Sequence, residues 1–257
     1  MESYIENTMS LLKTVNMHHA AQAFNELIEK SIEESQTCET FLEGVLHTEI
    51  DGREKRKFEK RLKQANFPEY KTLDEFNLDE QQTLSGRQFN QLRELSWLEK
   101  GFNLIFLGMP GVGKSHISIG LGIEALNNGY KVKFIAMADL IHTLKTQEIS
   151  SVSRNIIKRI VDSDLVIIDD LMFMAMEKNE ANLFFQLVNK LYGQTSIIIT
   201  SNKGPEDWGE LLGDPAITTA ILDRLVHKCE IINIHDKDSY RMKHRQRIFT
   251  NTQEPAV

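Results

Sequence analysis

Apolar positions change their rhythm part-way along the chain. Before residue 68 they recur every three or four positions: Leu11 and Val15 with His19 after them, then Phe24 and Leu27, then Phe41, Leu42, Val45 and Leu46. That spacing lines one side of an α-helix, and no proline interrupts it before Pro68, so two or three helices are predicted up to about residue 65. Asn66-Phe67-Pro68 breaks the helical run, and the polar, turn-rich stretch from Thr72 to Gly86 reads as a linker. The predicted organisation is a helical N-terminal domain over 1–68, a linker over 69–90, a larger domain over 91–250 and a tail over 251–257.

In the larger domain, short apolar runs alternate with longer helical stretches. Leu104 to Leu107, Val132 to Met137, Leu165 to Ile168, Ser196 to Thr200 and Glu230 to Ile234 read as buried strands, with helices between them. Such alternation builds a parallel sheet wrapped by crossover helices, so the predicted fold class is a doubly wound α/β domain on a parallel five-stranded sheet. No internal repeat of fixed period is present.

Charge narrows the partners. The 257 residues hold 30 Lys and Arg against 37 Asp and Glu, a formal net charge of -7, so any contact with nucleic acid must come from a local patch. Up to Ile50 there are nine Glu and two Lys, whereas Asp51 to Gln64 carries seven Lys or Arg against three acids. Within that run Arg53, Arg56, Lys57, Lys60 and Lys63 fall three and four apart, on one helix face. Such a face suits the phosphate backbone of DNA, although a charge run is usually a solvated face. Cys38 and Cys229 form no CxxC pair, and the eight histidines show no ligand spacing, so neither a disulfide framework nor a zinc site is expected and a reducing cytoplasm is. The acidic start MESYIENTMSLLK lacks a basic segment followed by an apolar one, and no apolar run approaches the roughly 18 residues of a membrane helix, so export and membrane insertion are not expected.

The chemistry is concentrated after the first predicted strand. Gly108-Met109-Pro110-Gly111-Val112-Gly113-Lys114-Ser115 is a complete GxxxxGK[ST]. Glycines let the backbone curl so that successive N–H groups face phosphate oxygens, Lys114 reaches the β and γ phosphates of ATP, and the Ser115 hydroxyl is placed to ligate Mg²⁺. A helix apolar on more than one side follows, through Ile117, Leu121, Ala125 and Ile119, Ile123, Leu126, as a buried crossover requires. The third predicted strand runs into Asp169-Asp170. Two adjacent carboxylates at the end of a buried strand repel each other and lose hydration, which a cation relieves. Asp169 would hold hydrated Mg²⁺ and Asp170 would orient or deprotonate the attacking water; an aspartate after a strand also serves as a helix N-cap. Asn202 ends the fourth strand beside Asp169, as a γ-phosphate or water contact or as an ordinary turn residue. Between the second and third strands, Lys145, Arg154, Lys158 and Arg159 are candidate DNA contacts or a solvated crossover face.

The loop at 108–115, the strand and aspartates at 165–170 and the Asn202 strand tip, in this order, resemble an AAA+ ATPase. Ala220-Ile221-Leu222-Asp223-Arg224-Leu225-Val226-His227 and Asp238-Ser239-Tyr240-Arg241 resemble segments of the DnaC and IstB group, the helicase loaders and the insertion-sequence transposition helper ATPases. Phe41-Leu42, Gly44-Val45-Leu46, Glu49, Arg53, the basic run to Lys63, Ala65-Asn66-Phe67-Pro68 and Lys71-Thr72-Leu73-Asp74 with Phe76 are similar to the IstB branch, so the resemblance runs from about residue 35 to 247. It implies an AAA+ P-loop NTPase core with no full lid domain, for which too few residues follow Arg241. It also implies Arg224 as an arginine finger, Arg241 as the sensor-2 arginine, and a homo-oligomeric ring or spiral on DNA. The implied function is to recruit or stimulate a transposase; the alternatives are a helicase loader of the DnaC type and a nucleotide-gated DNA-binding scaffold with little turnover. Asp170 departs from the Glu common in AAA+ proteins and is a methylene shorter, which suits slower or partner-dependent hydrolysis. His235-Asp236-Lys237-Asp238 stands where the family often has a Gly.

Overall fold

A computed structural model of the chain describes residues 2–78, 84–171, 176–209 and 214–234. The chain divides into two compact units, Met1–Arg61 and Leu62–Val257.

The first unit consists of α1 (Glu2–Thr14), α2 (His18–Glu33) and most of α3 (Cys38–Ala65). Ala20, Phe24 and Val45 form its buried core, ringed by Met9, Leu12, Leu27 and Phe41. Phe24 and Phe41 meet edge to face at 6.0 Å between centroids. Leu11, Val15, Leu42 and Leu46, which the spacing puts on the same buried sides, are exposed. Positions 41 and 45 lie about 100° around α3 from 42 and 46, and the other two helices cover only the first arc. Among the described residues of this unit, Glu49 is the buried acid, 4% exposed. Its Oε2 accepts the His19 and Ala20 amides at the start of α2 (2.8 and 3.0 Å), and its Oε1 accepts Arg53 Nε at 2.7 Å. Met17, the residue before α2, supplies no side-chain cap, so Glu49 does that work from another helix.

The second unit carries α4 (Gly86–Arg93), α5 (Ser96–Glu99), β1 (Asn103–Leu107), α6 (Lys114–Asn127), β2 (Val132–Ala136), α7 (Met137–Thr146), α8 (Ser151–Val161), β3 (Leu165–Asp169), α9 (Lys178–Leu191), β4 (Ser196–Ser201), α10 (Pro215–Val226) and β5 (Cys229–Asn233). The strands form one five-stranded sheet in the order β2-β3-β4-β1-β5. Every pairing is parallel, with Ile105 opposite Ile199 and Ile231, and Ile168 opposite Ile135 and Ile199. Each expected strand is present within two residues, and the apolar runs of β1 to β4 are buried because helices cover both faces; β5, also expected to be buried, is an edge strand in which Glu230, Ile231 and Asn233 are exposed. Ile105, Val166, Ile168, Ile197 and Ile199 share one cluster with Leu140, Leu144, Ile160, Phe184, Leu187 and Val188. Within the stretch read as a linker, Leu73, Leu84 and Phe89 are buried, and α4 starts there on a Ser85–Gln88 capping box.

Removing the Glu49 carboxylate leaves buried donors without an acceptor, so Glu49→Ala is expected to cost about 1–3 kcal/mol and to lower the melting temperature of the full chain. Burial works against the Glu49 charge, but the Ala20 amide, Arg53 and the His19 amide outweigh it and hold the carboxyl below its ordinary 4.5. A carboxyl depressed in the folded state stabilises fully above about pH 4.5 and less as pH falls through the lowered value. Glu49→Gln should therefore lose that part of the acid dependence; an acid melting profile identical to the parent's would count against this role.

Candidate nucleotide site

Because all five strands are parallel, their carboxyl ends share one edge. There β1 leaves at Leu107 and the 108–113 loop turns into α6. Gly113, the residue before α6, has φ 101°, and Gly108 has φ 150° with no room for a side chain, since a Cβ there would stand 2.3 Å from the Ile234 carbonyl. Val112 is buried under the loop and Met109 is exposed on it. Gly113 offers no side-chain cap and the first turn of α6 holds no acidic residue, so the positive end of this helix is left to an anion. Lys114 is 7% exposed, and its Nζ donates to the Gly108 and Met109 carbonyls at 2.8 and 3.0 Å.

At the end of β3, Asp169 receives hydroxyls from two other elements. Ser115 Oγ lies 2.9 and 3.1 Å from its two oxygens, and Thr200 Oγ1 donates at 2.6 Å. Burial pushes the Asp169 carboxyl above its ordinary value; the two hydroxyls and Lys114 oppose this and the neighbouring Asp170 adds to it. Asp170 is exposed and takes a left-handed conformation, φ 57°, that turns the chain out of the strand. Its amide donates to Thr200 Oγ1 at 2.9 Å, and the Leu171 amide donates to the Thr200 carbonyl at 3.0 Å. The next described helix, α9, is capped by Glu177, so Asp170 is not its N-cap. Asn202 follows β4 and is exposed; β4 lies between β3 and β1, which sets Asn202 between the aspartates and the loop.

These residues fit a nucleotide phosphate with a small hard cation. Among the described residues no group of three or more His, Cys, Asp or Glu is gathered to cage a metal. A hydroxyl beside one half-buried carboxylate is instead what Mg²⁺ takes from a protein when phosphate and water supply its other oxygens.

A family model described as IstB-like ATP binding protein matches residues 10–248. The chain belongs to this family. It is 38% identical over 238 residues to an ATP-binding protein of insertion sequence IS21 from Pseudomonas aeruginosa, covering 92% of this chain and 89% of the relative. An IS21-like ATP-binding protein from Bacteroides fragilis is 37% identical, with 92% and 90% covered. Among solved structures, DnaI aligns with a TM-score of 0.53 at 16% identity over 64% of this chain and 91% of that one. DnaA from Aquifex aeolicus bound to AMPPCP aligns at 0.51 and 21% over 66% and 50%. The fold of this IstB-like chain is the AAA+ P-loop fold, and the chain is an ATPase.

The other predicted residues of the IstB-like chain are scattered. Arg224, on α10, lies at the opposite edge of the sheet: the carbonyl of the next residue, Leu225, accepts Asn103 Nδ2 at the first residue of β1. The phosphate loop leaves four residues later, about 13 Å along the strand. Arg224 donates to Asn189 Oδ1 (3.0 Å) and the Ala220 carbonyl (2.7 Å) and sits 4.9 Å from the Phe185 ring centre, all uncharged partners. Arg53 is engaged by Glu49 and the Asn16 carbonyl, Lys57 by Glu54, and Arg56, Lys60 and Lys63 are exposed on α3. Lys145 pairs with Glu180 at 2.8 Å, Arg154 donates to the Glu148 carbonyl, and Lys158 and Arg159 are exposed on α8. Arg241 and His235 to Asp238 lie outside the described residues.

Thr200 is the residue that the sequence pattern passes over. Fully buried at the end of β4, its one hydroxyl donates to Asp169 and accepts from the Asp170 amide. A hydroxyl ending the apolar run Ile197-Ile198-Ile199 is its signal. Thr200→Val keeps the shape and removes the hydroxyl; groups that orient a metal-binding carboxylate are worth about 10–100-fold, and ATP turnover should fall by that factor. A variant with unchanged turnover would remove Thr200 from the site.

Proposed function

We propose that this protein is a DNA-binding AAA+ ATPase that assembles on DNA in an ATP-dependent homo-oligomer and recruits or stimulates a transposase in insertion-sequence transposition. The observation that carries the reading is the Ser115–Asp169–Thr200 cluster beside the phosphate loop, in a chain matched over most of its length by relatives named for insertion sequences. The insertion-sequence names of relatives matched over about nine-tenths of the chain favour this reading over the helicase-loader alternative.

In this reading the loop amides and Lys114 bind the β and γ phosphates, and the Lys114 ammonium exchanges neutral carbonyl partners for charged oxygens, a stronger hydrogen bond. Ser115 and Asp169 hold Mg²⁺, which when bound neutralises charge developing on the phosphates. Asp170, aimed by its left-handed turn and by the hydrogen bond its backbone N–H donates to Thr200 Oγ1, orients the attacking water and accepts its proton, and Asn202 holds that water or the γ-phosphate. Arg224 acts on the nucleotide of a neighbouring copy, because its place at the amino ends of the strands is far from its own loop. Its hold on Asn189, Ala220 and Phe185 involves no carboxylate, so exchanging it for a phosphate breaks no salt bridge. Arg241 belongs to the same reading as sensor-2.

Subunit mixing tests the assembly. Asp170→Asn and Arg224→Ala should each bind ATP and each lose hydrolysis, the first by roughly 10²-fold or more and the second by about 10³–10⁵-fold. Combined, they should recover part of the activity wherever an intact arginine meets an intact site; no recovery in proteins shown to co-assemble would defeat a trans role.

DNA contact is assigned to the exposed basic face of α3, chiefly Arg56, Lys60 and Lys63, with Arg53 and Lys57 beside it and Lys145, Arg154 and Lys158 as the second candidate patch. Lys and Arg on phosphates release counterions and carry no base information. Arg56→Glu with Lys60→Glu should weaken binding to all sequences alike and flatten the plot of log K against log salt by about one unit for each phosphate no longer neutralised. Wild-type affinity and slope in that double variant would move DNA contact to α7 and α8.

A further inference from the structure

The phosphate loop has a neighbour that none of the roles above uses. The segment Thr72–Phe76 crosses α6 and ends against the loop itself. A Cβ built on Gly113 would stand 2.7 Å from Phe76 Cε2, so the ring occupies the space beside the last loop residue. The ring is fixed in turn: it stacks on Phe89 at 5.8 Å with planes 17° apart, and meets the His116 ring edge-on at 5.3 Å. The segment leading to Phe76 is tied to its surroundings at three points. His116 Nε2 lies 2.8 Å from the Thr72 carbonyl, and Leu73 fits against Gly120 of α6. Arg93 of α4 bridges Asp74 and Glu124 of α6 at 2.6 Å each.

We propose that Phe76 is a positioning residue for the phosphate loop: its ring, braced by Phe89 and His116, holds Gly113 in the left-handed conformation from which Lys114 and Ser115 start. Gly113 at φ 101° is the pivot between the loop and α6, and the two residues after it carry the ammonium and the hydroxyl of the site. Glycine at this pivot has wide conformational freedom, and without a side chain of its own it cannot be locked by its own packing. A neighbour's ring supplies the lock. Phe76 is only partly buried, and its placement serves loop geometry more than core volume. A loop already in its bound shape loses less entropy when ATP arrives, so the device acts on binding rather than on the chemical step.

The proposal rests on the phosphate-loop reading, and the test separates the two. In the full-length protein, Phe76→Ala should raise KM for ATP by about 10–100-fold, the scale of a misplaced binding group, with kcat close to wild type, and Phe76→Tyr should restore KM. A ring with a purely structural part would lower the melting temperature and leave KM where it was; that result overturns the proposal. Where Phe76→Ala does not fold, Phe76→Leu keeps the bulk without the flat face that stacks on Phe89, and it too must raise KM; a wild-type value overturns the proposal. Lys114→Ala is the control, read by calorimetry with ATP: unchanged affinity there removes the phosphate-loop reading and this proposal with it, whereas lost affinity beside a wild-type KM for Phe76→Ala removes this proposal alone.

Discussion

A carboxylate largely stripped of water at the end of an apolar strand must be given partners, and in this protein that carboxylate is Asp169. Burial raises its pKa, and the hydroxyls that counter it come from the second residue of α6 and from the end of β4. Three elements distant in sequence therefore have to converge on one point, which a parallel sheet in the order β3-β4-β1 achieves by bringing strand ends and the helix start to the same edge. The local conformations follow from that demand. Thr200 is already bonded to Asp169, and the same oxygen receives the Asp170 amide, so the chain must turn sharply after the strand; the left-handed Asp170 is the consequence. The protein's own groups leave the Asp169 charge only partly compensated, and in the proposed function a cation would complete what the two hydroxyls begin.

The parts legible in the sequence are those whose chemistry needs contiguous residues. The 108–115 loop must carry its glycines, lysine and hydroxyl in fixed order, and Asp169-Asp170 stands out because polar residues end an apolar run. Strand positions are readable because both faces are buried and the runs are almost wholly apolar. What stays hidden depends on pairings across the fold. Thr200 has the same propensity for a strand end whether or not its hydroxyl meets a carboxylate. Leu73, Phe76 and Leu84 are too irregularly spaced to show a periodicity, and the polar residues around them look like a linker, although Leu73 and Leu84 are buried. Arg53 looks like its basic neighbours until Glu49 is found one turn away, capping another helix.

Strand direction also bears on why such an ATPase would work as an assembly. One edge of the sheet gathers the loop, the aspartates and Asn202, and the other carries Arg224 beside the first residue of β1. A rigid sheet cannot fold back to bring one edge to the other, so an arginine at the amino ends is useful to a phosphate only when another copy presents that phosphate to it. Hydrolysis in the proposed oligomer then requires a neighbour, and a lone subunit can bind nucleotide without a complete site. If Asp170 orients the water, as proposed, it strengthens this dependence, since a carboxylate one methylene shorter than Glu reaches less far. In the proposed assembly, a site weak alone and complete only between copies would tie the lifetime of bound ATP to the assembled state, the property that a switch for loading a second protein onto DNA needs.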